Sequence, residues 1–116
     1  MLQNQKNTVI IPLMIELTSR QRKFLEKNAH SINPVVIVGQ NGVTSAVEEM
    51  TNVSLASHEL IKISFNEFKD EKRTLAANLA EKSGSVLVRI IGNKAILYRP
   101  AEKPSDRKFE KALSKL

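Results

Sequence analysis

Residues 35–44, VVIVGQNGVT, constrain the fold more than any other stretch of this chain. An apolar, β-branched run meets Gly39-Gln40-Asn41-Gly42, and Val43-Thr44 opens a helix pattern directly behind it. Such a run favours a strand buried on both faces. Two glycines in four residues let the backbone turn sharply and let another molecule approach without a Cβ in the way. The helix start behind them carries unpaired N–H groups at the positive end of a helix dipole, a geometry that suits a phosphate. A tight strand-to-helix turn needs the same glycines for its own backbone angles, so the loop alone leaves both readings open.

The rest of the pattern completes an α/β domain. Thr18 with Gln21 three residues later forms a capping box, and Leu17, Gln21, Phe24, Leu25 and Asn28 share one face of a helix ending near His30. Behind the glycine loop, Thr44 is the N-cap of a helix whose apolar face runs through Val43, Ala46, Val47, Met50, Val53 and Ser57. Glu59–Phe65 reads as a strand with Ile61, Ile63 and Phe65 on one face and Leu60, Lys62 and Ser64 on the other. A third helix from Asp70 to Lys82, with Leu75, Ala76 and Leu79 as its stripe, stops at Gly84. Val86–Ile91 and Ala95–Tyr98 flank Gly92-Asn93, a hairpin signal. The order α-β-α-β-α-β-β predicts a mixed four-stranded sheet packed with helices in two or three layers. The domain is expected over residues 14–101. Residues 1–13 read as a disordered extension or the product of an upstream start. Residues 102–116 form a basic tail in which Ser105 caps a short helix bearing Phe109, Ala112, Leu113 and Leu116.

Composition narrows the function. A 116-residue chain buries a core without disulfides, and the absence of cysteine excludes thiolate zinc sites and fits the cytoplasm. No apolar run approaches the roughly 20 residues needed to span a bilayer, so no membrane partner is expected. A net charge of +6 biases the chain toward polyanions, nucleic acid above all. Phe24, Phe65, Phe68, Tyr98 and Phe109 are too few for extensive base stacking, which favours contacts to a nucleic-acid backbone. Arg20, Lys23 and Lys27 fall within about 60° on the first helix. Like charges so placed cost helix stability, a cost that a bound polyanion offsets, although an ordinary solvated face is the plainer reading. The candidate contacts are Gly39, Gln40, Asn41, Gly42 and Thr44 at the loop, Arg20, Lys23 and Lys27 on the helix, and Arg22, Lys62 and Arg99 beside them. Glu48 and Glu49 oppose an anion at the loop.

Other chemistry finds no support. His30 and His58 each follow a helix, where a cation suits the dipole, and neither has partners at metal-ligand spacing. No serine lies in a Gly-x-Ser-x-Gly context and no Gly-x-x-x-x-Gly-Lys loop is present. No enzymatic activity, cofactor or small-molecule substrate is expected. Tyr98 reads as an edge-of-core aromatic with its hydroxyl in water, or as a stacking platform beside Arg99.

Four blocks together resemble the CRM domain, the chloroplast RNA splicing and ribosome maturation module, in its stand-alone bacterial YhbY-type form. They are Leu17–Arg22, Pro34–Thr44, His58–Lys62 and Ile91–Pro100. The resemblance implies a fold similar to the C-terminal domain of translation initiation factor three. It implies an RNA-binding protein, with bacterial members tied to the large ribosomal subunit precursor and plant members to group II intron splicing. The family's Gly-x-x-Gly loop, compared with the backbone clamp of KH domains, falls on Gly39–Gly42. Where many relatives carry a lysine in the loop this chain has Gln40 and Asn41, which shifts weight to the first helix. A KH domain itself is disfavoured, because its loop joins two helices. The expectation is a cytoplasmic monomer that binds ribosomal RNA. The alternative is a ribosome-associated protein-interaction module without direct RNA contact. A double-stranded DNA binder lacks a helix-turn-helix pair.

Overall fold

A computed structural model describes residues 16–116 of the chain. The expected extension over residues 1–13 lies outside them. The first helix, α1 (Ser19–Ala29), starts where its capping box demands. The Thr18 hydroxyl accepts from the Gln21 N–H at 3.1 Å, and the Gln21 side chain accepts from the Thr18 N–H at 2.9 Å. Such a cap contributes about 1 kcal/mol. The helix buries Leu25 and Ala29. Asn28, expected on that face, is exposed and donates to the Phe24 carbonyl instead.

The chain continues through β1 (Val36–Val38), α2 (Ser45–His58), β2 (Leu60–Phe65), α3 (Lys72–Ser83), β3 (Val86–Ile91) and β4 (Lys94–Tyr98). A 3-10 turn over Pro104–Asp106 and the single-turn α4 (Glu110–Leu113) follow. The four strands form one mixed sheet in the order β1-β2-β4-β3. β1 and β2 are parallel, with α2 as the crossover, and β4 runs antiparallel to both β2 and β3. Alternation along the strands divides the apolar side chains between two cores. Val36, Val38, Ile61, Ile63, Phe65, Ala95 and Leu97 meet α2 and α3 through Leu55, Ala76 and Leu79. Leu60, Val88, Ile96 and Tyr98 meet Leu25 and Ala29 of α1 and Leu113 of α4. The expected mixed α/β architecture therefore takes its three-layer form.

Further local expectations change. The run 35–38 is buried on one face, not two. β1 is an edge strand, α1 packs over β2, β3 and β4, and Ile37 is 57% exposed. α2 buries Thr51, Ser54 and Leu55, whereas Met50 and Val53 face solvent. Polar residues line this face because the Thr51 hydroxyl donates to the Val47 carbonyl at 2.8 Å, satisfying itself within the helix. α3 begins at Lys72, after Phe68 takes a left-handed φ of +57°.

The C-terminal segment is docked. Ser105 sits within the 3-10 turn instead of capping a helix. Phe109 packs edge-on against Phe24 and Tyr98, with ring centroids 6.5 and 6.2 Å apart. Each pair is worth about 0.5–1.5 kcal/mol beyond its burial. Tyr98 is consequently 3% exposed and presents no platform to a base. Glu59 closes the clasp. It is 1% exposed with φ +67°, and its carboxylate accepts from the Ala101 N–H and, at 2.7 Å, from the Lys108 N–H.

Candidate nucleic-acid interface

α1 and α4 cover Leu60, Ile96, Tyr98 and Val88 and leave the rest of that sheet face open. Alternation puts Lys62 and Ser64 of β2, Lys94 of β4 and Ile91 of β3 on this face. The pairings Lys62↔Ile96, Ser64↔Lys94 and Ile91↔Lys94 set them side by side. Arg89 joins them through a bulge. β3 pairs Leu87 with Leu97 and Arg89 with Ile96, so Val88 is an extra residue. Strict alternation would turn Arg89 toward α2 and α3 with Leu87; the bulge turns it toward α1, where its Nε lies 2.7 Å from Glu26.

The other wall comes from one flank of α1, with Lys23, Glu26, Lys27 and His30. The result is a trough of about 810 Å³ lined by Lys23, Lys27, Lys62, Arg89 and Lys94 against one carboxylate, Glu26. Glu26 is already paired with Arg89, so the remaining charge is positive. A concave surface of one sign between low-dielectric walls concentrates its field.

The glycine loop closes as a turn, with the Gly42 N–H donating to the Gly39 carbonyl at 3.0 Å. Gly42 has φ +74°, which favours glycine. Gly39 lies outside the left-handed region, and a Cβ there would meet nothing within 4 Å. Nothing inside the fold demands glycine at 39. Gln40 and Asn41 are exposed, and the Thr44 hydroxyl caps α2 by accepting from the Val47 N–H at 3.2 Å. The Val38 carbonyl accepts from the N–H groups of Asn66 and Glu67, so the segment after β2 braces the loop. The Phe65 N–H donates to the Asn93 carbonyl at 2.8 Å, which brings the hairpin to the same end of the sheet. Glu48 points to α3, where it pairs with Lys82 at 2.8 Å; that hydrogen bond and charge raise the Lys82 pKa.

The residues singled out from the sequence thus separate. Lys23, Lys27 and Lys62 line the trough, and the Lys62 ammonium also donates to the His30 carbonyl at 3.3 Å. Gly39, Gln40, Asn41, Gly42 and Thr44 form the loop and cap at one end of the sheet. Arg20 is exposed on α1, outside the trough lining. Arg22 turns inward, its Nη1 donating to the Leu87 and Val88 carbonyls, each at 2.8 Å, and so holds the bulge. Arg99 lies at the far end of the sheet. It donates to Asn52 Oδ1 and the Ser83 carbonyl, each at 2.7 Å, and its partial burial lowers the guanidinium pKa. Arg89 and Lys94 are the cations that sequence reading misses. Lys94 was accessible in principle from strand alternation, whereas Arg89 needs the bulge. Among the described residues no cluster of acids, histidines or cysteines is placed to hold a metal, and no helix is long and apolar enough to cross a membrane.

Comparison with known proteins gives a consistent picture. The pattern of the CRS1/YhbY (CRM) domain matches residues 17–99. An RNA-binding protein of Haemophilus influenzae is 37% identical over 90 residues, covering 77% of this chain and 91% of that protein. A Pseudomonas aeruginosa protein named as a probable RNA-binding protein is 38% identical, covering 77% of this chain and 86% of its own length. The solution structure of a Staphylococcus aureus protein superposes with a TM-score of 0.67 at 32% identity, covering 80% of this chain and 98% of that one. The family match over residues 17–99, the similar relatives and the shared fold agree, and the chain belongs to the CRS1/YhbY (CRM) domain family.

Proposed function

We propose that this chain is an RNA-binding protein whose ligand backbone runs through the basic trough and ends on the Gly39–Gly42 loop. The observation that carries the reading is the trough: five cations from one helix and three strands converge on the part of a sheet face that α1 and α4 leave open. Two further features support it. Gly39 is a glycine with no internal reason, as expected where another backbone must come close. The similar proteins are themselves named for RNA binding. The reading is one of binding by a monomer without cofactor, not of catalysis. The family resemblance points to the large ribosomal subunit precursor as the RNA.

The test is the salt dependence of RNA affinity. Neutralising four to five phosphates gives a log–log slope of about −3 to −4. Lys27→Glu or Lys94→Glu should weaken binding and flatten that slope; a flat slope in the unaltered protein contradicts the electrostatic reading. Gly39→Asp places a carboxylate on the loop without strain, and should lower affinity about tenfold or more while leaving the melting temperature unchanged. Gly42→Asp is the poorer probe, because its φ and the nearby Phe68 ring would perturb the fold. Sedimentation with large-subunit precursor particles, with and without nuclease, tests the assignment of the target.

A further inference from the structure

Phe68 stands apart from the other phenylalanines. Phe65 is buried and Phe24 packs against Phe109, whereas Phe68 is 41% exposed. Its backbone holds φ +57°, a region that bulky aromatic residues rarely adopt. Main-chain bonds brace that conformation on both sides. The Asn66 and Glu67 N–H groups donate to the Val38 carbonyl before it, and the Glu71 N–H donates to the Phe68 carbonyl after it. The ring is therefore presented by a braced turn instead of being drawn into the core. Its Cδ2–Cε2–Cζ edge lies against Gly42, with Cε2 only 3.4 Å from where a Cβ would stand. One edge lies beside the glycine loop, and part of the side chain stays open to solvent.

We propose that Phe68 is a stacking platform for one unpaired nucleobase of the RNA whose backbone follows the Gly39–Gly42 loop. This rests on the RNA-binding reading above. A phosphate at the loop carries its own base, or the next, within reach of a ring that borders the space a side chain at position 42 would fill. Every base has an aromatic face, so the platform is tolerant of sequence and selects unpaired over paired RNA. The scarcity of aromatics gives the contact its weight. Tyr98 is buried and Phe109 packs between it and Phe24, so neither ring of that cluster offers the loop a stacking face.

The chain contains no tryptophan, so Phe68→Trp installs a single fluorophore at the platform. The unaltered protein, F68A and F68W are each titrated with oligoadenylate and with a blunt-ended duplex RNA. F68A should lose about 5- to 100-fold in affinity for oligoadenylate and keep its affinity for the duplex. F68W should bind like the unaltered protein, with emission quenched by oligoadenylate and not by the duplex. Equal affinity of F68A and the unaltered protein for oligoadenylate, or unquenched F68W at saturation, overturns the platform and leaves the backbone reading standing. An equal loss by F68A on both RNAs assigns Phe68 to shaping the loop and also overturns stacking, as does binding of the duplex alone. No binding of the unaltered protein to either RNA overturns the RNA-binding reading itself.

Discussion

Arg22 and Lys23 are neighbours in sequence and serve different ends. Lys23 projects its charge into the trough, while Arg22 spends its donors on the Leu87 and Val88 carbonyls at the bulge. Removing a charged donor from part-buried carbonyls costs about 1–3 kcal/mol. Arg22→Leu should show that loss in chemical denaturation, and should also weaken RNA binding, because the bulge aims Arg89 into the trough. Arg99→Leu should destabilise to a similar extent by releasing Asn52 and Ser83, yet leave RNA affinity and its salt slope unchanged. The pair separates a residue that shapes the binding surface from one that only stabilises the fold. Helical spacing alone cannot make that distinction, because it tells on which flank an arginine lies and not which carbonyls wait there.

At the level of elements, the C-terminal segment is held by a buried carboxylate and an aromatic cluster. Glu59→Ala leaves the Ala101 and Lys108 N–H groups without their acceptor and should cost about 2–4 kcal/mol, with earlier proteolysis after residue 101 as the readout. Tyr98 makes the same docking sensitive to alkali. Burial first, then the charges of Glu59 and Glu110, push its phenol up to about 12. A group whose neutral form is favoured by folding contributes stability below its unfolded pKa near 10 and loses it as pH rises toward the folded value. The melting temperature should fall between pH 10 and 12, and Tyr98→Phe should flatten that fall. Elements governed by local chemistry were legible in the sequence: the Thr18–Gln21 capping box, the strand–glycine–helix passage at 35–44 and the Gly92 hairpin. What depended on partners elsewhere in the chain was not. The buried face of α2 follows from a Thr51 hydroxyl satisfied within the helix, and the docking of Phe109 follows from Glu59, whose role is written only in its contacts.

Across the whole molecule, the arrangement follows from unequal coverage of a sheet. Two helices cover one face completely. On the other, a single helix and the short C-terminal turn cover the rows around Leu60, Ile96 and Tyr98, and the remainder becomes the basic trough. The sequence showed the charged flank of α1, the loop and Lys62 as a candidate contact, but not that Arg89 and Lys94 complete the surface, since their convergence depends on strand register and on one bulge. The opposite side carries Met50 and Val53 exposed on α2, the surface that a protein-interaction module would use. The most direct test is an amide chemical-shift titration of the labelled protein with RNA. Shifts should cluster at Gly39–Gly42, at Lys23–His30 and at Lys62, Arg89 and Lys94. Shifts confined to the Met50–Val53 face, with the loop and trough unmoved, would contradict the account.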